Sequence, residues 1–375
     1  MKTTKALFGI LTVIAALAMQ AHAQFNYTIN ADLTVTITGY TGPSGAVIIP
    51  PMINGLLVTS IGGSAFLGSG VTSVTIPNSV TSIGAGAFWN CGSLTSITIP
   101  NGVTFIADGT FYECVSLASV TIPNNVTTIG SHAFDGCTSL ASVTIPSRVT
   151  TIGDSAFSGS GLTSVTIPNS VTSIGAGAFW NCGSLTSITI PNGVTFIVDG
   201  TFYACVSLTS VTIPNSVTTI GSSAFYDCTR LAIVTIPSSV TTVGDSAFAD
   251  CTNLAGVYFR GNTPSLGGTN VFSGANHSII YSPPGIVGWG TSFAGRPVLP
   301  CNPQVQDSSV GVRANQFGFT FTGSYGMLVV VEASRNLANP VWVPVQTNTL
   351  GVGSTYFNDP QCKNYPGRFY RLRSP

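Results

Sequence analysis

Apolar residues recur along most of this chain in short alternating bursts separated by turns. In the stretch Leu94 to Ser116 they fall at Leu94, Ile97, Ile99, Val103, Ile106, Phe111 and Cys114. Ile97 and Ile99 alternate with Ser96 and Thr98, the period-two signature of a strand with one buried face. Pro100 has no N–H to offer a ladder and ends that strand. Val103 and Ile106 bring the chain back over the core. Phe111 then seats an aromatic ring between coils, in a short helical or irregular turn.

The same unit returns at a fixed period. The phenylalanine of an A-F or T-F pair stands at Phe66, Phe88, Phe111, Phe134, Phe157, Phe179, Phe202, Phe225 and Phe248, at spacings of 22 or 23 residues. A T-I-P marks eight of the units, with prolines from Pro77 to Pro237. One such unit cannot bury its apolar face alone, so the units must stack into a solenoid. Nine coils at ~4.8 Å per step give a ladder about 40 Å long. A longer period lies above the short one. Thr72 to Ile106 repeats as Thr163 to Ile197 without a change, at an offset of 91 residues, so a block of four coils has been duplicated. The two copies differ mainly around the Phe–Cys turn, as at Glu113 against Ala204, His132 against Ser223 and Asp135 against Tyr226.

Units of the form Leu94-Thr95-Ser96-Ile97-Thr98-Ile99-Pro100, followed by Val103, Ile106, Phe111 and Cys114, resemble the BspA-type leucine-rich repeat. The resemblance covers roughly residues 47–272. It implies a curved solenoid with short parallel strands on its concave side. It also implies an exported bacterial protein, of a kind whose members include adhesins for host proteins, and it carries over no catalytic residue.

The flanks read differently. Residues 1–23 hold Lys2 and Lys5, an apolar run from Ala6 to Met19 and Ala21-His22-Ala23, the three parts of a cleavable export signal. Residues 24–46 contain two strand-like runs around Asn30-Ala31-Asp32, expected to form a hairpin that caps the first coil. The solenoid is expected over 47–300. Phe272 marks an irregular tenth coil, and Tyr281 to Pro300 resembles the terminal coil of related arrays. Residues 301–375, joined by a linker near Pro300 to Asp307, lose the repeat. Phe317, Phe319 and Phe321 alternate there, and Met327 to Val331 is another strand-like run, so a small all-β module is expected. The apolar run from Ala6 to Met19 is too short to span a membrane, and no later run is long enough.

Charge narrows the function. Only 6% of residues are charged, against about 25% in an ordinary soluble domain, and the formal net charge is zero. Nucleic acid is therefore excluded as a partner, because binding it needs a basic footprint. The chain has no H-E-x-x-H, Cys-x-x-Cys, G-x-S-x-G or phosphate-loop motif, and no cofactor or metal is expected.

Seven cysteines, from Cys91 to Cys251, sit three residues after a repeat phenylalanine and are read as small buried hydrophobes. Cys301 and Cys362 flank the tail and are a candidate disulfide in an exported protein. Asp227 and Asp250 fall at the same position of adjacent coils, ~5 Å apart by the strand spacing, which is the separation of a retaining glycosidase's carboxyl pair. Their place on a turn favours plain solvation.

The most extensive surface feature is the polar face of the strands. Thr75, Thr98, Thr121, Thr144, Thr166, Thr189, Thr212 and Thr235 form one row, flanked by a row of serines from Ser73 to Ser210. The leading expectation is a non-catalytic recognition protein that presents this row to an extracellular protein. A glycan-binding surface protein is the alternative, and a polysaccharide-cleaving β-helix the third. The aromatics a glycan site needs, Trp89, Tyr112, Trp180 and Tyr203, fall on the turns, where packing between coils also accounts for them.

Overall fold

A computed structural model describes residues 24–283, 286, 288–300, 304–305, 310–313, 316–323, 328–350, 354–365 and 367–373. The export signal expected over 1–23 lies outside them. The chain divides into two units, one of residues 24–257, 263–278 and 294–296 and one of 258–262, 279–293 and 297–375.

The first unit is the repeat array. Gly45–Ile48, Val71–Thr75, Ser96–Thr98 and Ser119–Thr121 form one parallel sheet, and Ser187–Thr189 pairs with Ser210–Thr212 in the same way further on. Pairing is like on like: Ser96 faces Ser119, Ile97 faces Val120 and Thr98 faces Thr121. Each apolar side chain therefore stands on its counterpart in the next coil, and the repeat in sequence becomes a column in space.

A second parallel ladder was not foreseen. Phe105–Ile106, Thr128–Ile129, Thr151–Ile152 and Ser173–Ile174 pair in order, as do Phe196–Ile197, Thr219–Ile220, Thr242–Val243 and Ser265–Leu266. Each of these strands has only two residues, too few for alternation to show in the sequence. At the start of the array, Phe25–Ile29 runs antiparallel to Val35–Tyr40 as the expected hairpin. Val35–Tyr40 in turn pairs parallel with Leu56–Ile61.

The third side of each coil is the turn that carries the phenylalanine. The rings of Tyr40, Phe66, the eight later repeat phenylalanines and Phe272 stack in a single column with centroids 5.0–5.7 Å apart and planes within 22°. Phe272 thus places the tenth coil in the column. The backbone follows the rings: Phe111 N–H donates to the Ala133 carbonyl, Phe134 to Ala156 and Phe225 to Ala247, at 2.8–2.9 Å.

The turn has a conformational requirement that composition alone does not state. In the nine coils from Phe66 to Phe248, the residues two before and two after the phenylalanine both have positive φ. Glycine meets one of the two in most coils, as in Gly109/Glu113, His132/Gly136 and Gly200/Ala204, while Ser223/Asp227 and Ser246/Asp250 have none. Glycine is needed for another reason at Gly153, where a Cβ would lie 2.5 Å from the Ser131 nitrogen of the preceding coil.

The second unit contains the small all-β module. Gln316–Thr322 pairs antiparallel with Gln304–Val305, Gly311–Arg313 and Ser354–Asp359. Leu328–Ser334 lies between Val343–Thr349 and Phe369–Arg373, also antiparallel. Its core holds Phe319, Phe321, Val329, Val331 and Phe357. Two buried carboxylates are paired. Glu332 binds Arg371 at 2.7 Å and Arg373 at 3.1 Å, and Asp359 binds Arg368 and the Tyr370 hydroxyl at 2.6 Å each.

Two outcomes follow. Ala204 has neither the freedom of glycine nor a side chain that bonds locally, so Ala204→Gly should raise stability by about 1 kcal/mol and Gly200→Ala should lower it, read as opposite shifts in thermal melting. Arg371 holds Glu332 below the ordinary carboxylate range. Its contribution is complete above that range and is lost as pH falls through the lowered value, so acid should destabilise the module and Glu332→Gln should flatten that pH dependence.

Candidate functional site

The structure places all eight threonines of the predicted row on one exposed surface of the array. Thr98 pairs with Thr121, Thr144 with Thr166 and Thr189 with Thr212 in parallel register, while Thr75 pairs with Ile48. The residues between them, such as Ile97 and Ile188, point the other way and are buried, at 4% and 3% exposure. This is period-two geometry acting over many coils: one face supplies the core and the other a row of hydroxyls and methyls. A shallow depression of about 350 Å³ opens on this face around Ser73, Thr75, Ser96 and Thr98. No charged residue interrupts the row.

The cysteines have a role beyond filling space. Each thiol reaches the carbonyl of the phenylalanine in the preceding coil, from Cys91 on Phe66 at 3.0 Å to Cys228 on Phe202 at 3.3 Å. The two 22-residue coils carry Ser69 and Ser160 at this position, and their hydroxyls lie 3.4 Å from the sulfurs of Cys91 and Cys182. Sequence reasoning took the position for an apolar one; the serine substitution in the short coils was the signal that it also bonds. All seven are buried thiols. Burial pushes Cys137 and Cys182 up to about 12, so their nucleophilic form is scarce at neutral pH.

The remaining candidates sit on turns. His132 is half exposed and its Nδ1 lies 2.9 Å from the Asp135 carboxylate. Partial burial and the charge of Asp250 raise the Asp227 carboxyl, so the two acids do neighbour one another. A hydrogen bond to Asp250 and its charge push the Tyr226 phenol up to about 12. Among the described residues no group of three or more acidic, histidine or cysteine side chains is placed to hold a metal ion. Of the candidate disulfide, Cys301 lies outside the described residues, and the Cys362 sulfur accepts the Phe317 N–H at 3.1 Å.

Trp89 and Tyr112 pack ring to ring at 4.6 Å, and Trp180 and Tyr203 at 4.0 Å. These pairs lie beside the phenylalanine column on the turn side, away from the threonine row.

In-register coils, a phenylalanine column and two short parallel ladders match a known repeat. The profile of the BspA type leucine rich repeat region matches residues 59–186 and 172–290, with six copies. The chain belongs to this family. Among solved structures, a leucine-rich repeat protein from Bacteroides ovatus is 34% identical over 69% of this chain and 71% of its own, with a TM-score of 0.65. A leucine rich repeat protein of T. pallidum is 31% identical over 56% of this chain and 88% of its own, with a TM-score of 0.41. A leucine rich cell surface protein from Faecalibacterium prausnitzii is 27% identical over 70% of this chain and 94% of its own, with a TM-score of 0.41. No curated protein matches the chain. Family membership makes the repeat array a scaffold of the recognition type. Among the described residues no helix is long and apolar enough to cross a membrane.

The thiol bonding has a direct check. A thiol reagent added to the native protein should leave the seven repeat cysteines unmodified and label them only on unfolding. Cys137→Ser should lower stability by no more than about 1 kcal/mol, since serine keeps a donor for the Phe111 carbonyl, whereas Cys137→Val should cost more.

Proposed function

We propose that this BspA-type protein is exported, held at or released from the cell surface, and binds an extracellular protein along the threonine row without catalysing a reaction. The observation that carries the reading is the row itself: eight exposed threonines on successive coils, uncharged and in register. An uncharged surface of this kind has no ionic group to desolvate, and its stacked strands hold it rigid, so little ordering is needed on contact. Family membership supports a recognition scaffold, and the pattern of residues 1–23 supports export.

Recognition without catalysis fits the side chains available. The repeat thiols bond to carbonyls inside the core. The Asp227–Asp250 pair lies on left-handed turn positions and shares its charge with Tyr226, which suits solvation and turn geometry. Under this reading the hairpin of 24–46 protects one end of the array, the array spans 47–300, and 301–375 is a separate module closed by a Cys301–Cys362 disulfide.

Placing lysine on every second coil tests the reading without stacking like charges. The variant Thr98→Lys/Thr144→Lys/Thr189→Lys should lose at least tenfold in affinity for a protein captured from an array of extracellular proteins. Its melting temperature should stay within a few degrees, as for exposed substitutions in general. Unchanged affinity would remove the threonine row as the site.

A further inference from the structure

The duplication has copied a groove as well as a set of coils. On the turn side, beside the phenylalanine column, two clefts of about 530 and 440 Å³ lie at equivalent positions 91 residues apart. Of the nine residues lining the first, eight recur unchanged in the second, and the ninth is His132 against Ser223. Four coils at ~4.8 Å separate the two by about 19 Å.

Each cleft has an aromatic side and a polar side. The aromatic side is Trp89 with Tyr112, or Trp180 with Tyr203, and the indoles remain 43% and 42% exposed in spite of that stacking. Between the sides lie glycines with φ near +60°: Gly86 and Gly109 in the first copy, Gly177 and Gly200 in the second. A Cβ at these glycines would stand 3.1–3.8 Å from the indole, so their hydrogen atoms give the ring its place. In the other five coils from Phe66 to Phe248 the same position holds Ser64, His132, Ser155, Ser223 and Ser246, also at positive φ. The fold tolerates a side chain there. Glycine is confined to the coils that carry a Trp–Tyr pair.

The polar side centres on Asp108 or Asp199, and the second cleft adds Asp154, which stands where the first copy has Gly63 and whose Oδ1 accepts the Ala176 N–H at 2.8 Å. Asp108 Oδ1 accepts the Ser131 N–H at 2.8 Å, and Asp199 Oδ1 accepts the Ser222 N–H at 2.7 Å. That bond fixes the carboxylate and leaves Oδ2 without a protein partner among the described residues. No lysine or arginine lines either cleft. Phosphates, sulfates and uronic acids are excluded by this charge. A ring with an apolar C–H face and several hydroxyls fits it, with the face on the indole and hydroxyls donating to the carboxylate.

We propose that the two clefts are equivalent binding sites for a neutral saccharide, and that together they hold a polysaccharide at two points. This is a second binding activity, separate in place and in ligand from the threonine row. Because a chain long enough to span about 19 Å engages both sites, a polymer should bind far more tightly than a short oligosaccharide.

The test is titration of the purified chain, by calorimetry and tryptophan fluorescence, with neutral tetra- to hexasaccharides of gluco, manno, galacto and xylo configuration and with the matching polysaccharides. At least one series should bind saturably with two sites per chain for the short form. Trp89→Ala and Trp180→Ala should each remove one site, and the double variant should lose at least tenfold for both forms. Gly86→Ser/Gly177→Ser is the control for folding, since serine occupies this position in neighbouring coils. It should crowd the indoles and weaken binding while the protein melts normally. The triple threonine-to-lysine variant should bind saccharide as the parent does. The proposal is overturned if no series binds, if the tryptophan variants bind unchanged, if the lysine variant alone loses binding, or if tetramethylammonium competes and shows the clefts to be cation cages.

Discussion

Each coil from Phe66 to Phe272 is fixed by the ring it places on the ring before it. A column of eleven aromatic side chains, from Tyr40 to Phe272, runs through the turn side with a spacing of 5.0–5.7 Å. Stacking of this kind contributes about 0.5–1.5 kcal/mol per pair beyond burial. Its greater effect is on register. A coil that slipped by one residue would lose its ring contact, its thiol bond to the phenylalanine carbonyl and both strand pairings together. The left-handed residues flanking each phenylalanine serve the same end, since they let a turn project a large ring inward without a helix.

Perfect stacking also explains the composition. Any side chain repeated at one position of every coil stands about 4.8 Å from its own copy. For a charge, that is a repulsion of about 1 kcal/mol per step in water. For a hydroxyl, it is an opportunity. Thr95, Thr127, Thr186 and Thr218 each donate to the carbonyl of the threonine at the same place in the coil before. Serine and threonine therefore supply the solubility that charge supplies elsewhere, and knit the coils as well. Asp227 and Asp250 show the cost of departing from this rule. They are stacked acids in adjacent coils, and Asp227 is raised by its partial burial and by its neighbour's charge.

Much of this was legible before the fold was known. The 22–23-residue period, the buried Leu, Ile, Phe and Cys, and the exposed threonine row follow from counting and from period-two alternation. The two-residue ladder through Phe105–Ile106 and its equivalents did not, because two residues have no period. Nor did the thiol bonds: a buried cysteine reads as apolar, and only Ser69 and Ser160 hinted otherwise. The clefts were hardest. Trp89 and Asp108 are 19 positions apart in sequence, and only the coil brings them to either side of the same glycines. Both candidate binding surfaces are therefore products of stacking, the threonine row through repetition and the clefts through neighbouring coils that differ.

That difference gives the duplicated block its interest. Copying four coils preserved the phenylalanine column and the threonine row, where any change would break register or interrupt the face. It left the rim of the turn side free to vary, and the two copies have diverged there. In the first, Tyr112 meets the edge of His132, which pairs with Asp135. In the second, the counterparts are Ser223 and Tyr226, and the stack continues from Trp180 through Tyr203 to Tyr226 at 4.7 Å. The first rim thus ends on an edge-on imidazole paired with a carboxylate, while the second extends the stack by a third ring. A repeat array can change what it binds in this way without disturbing what holds it up. Substitutions confined to the turn rim alter the ligand-facing surface of one coil pair, and the column beside them continues to set the coil.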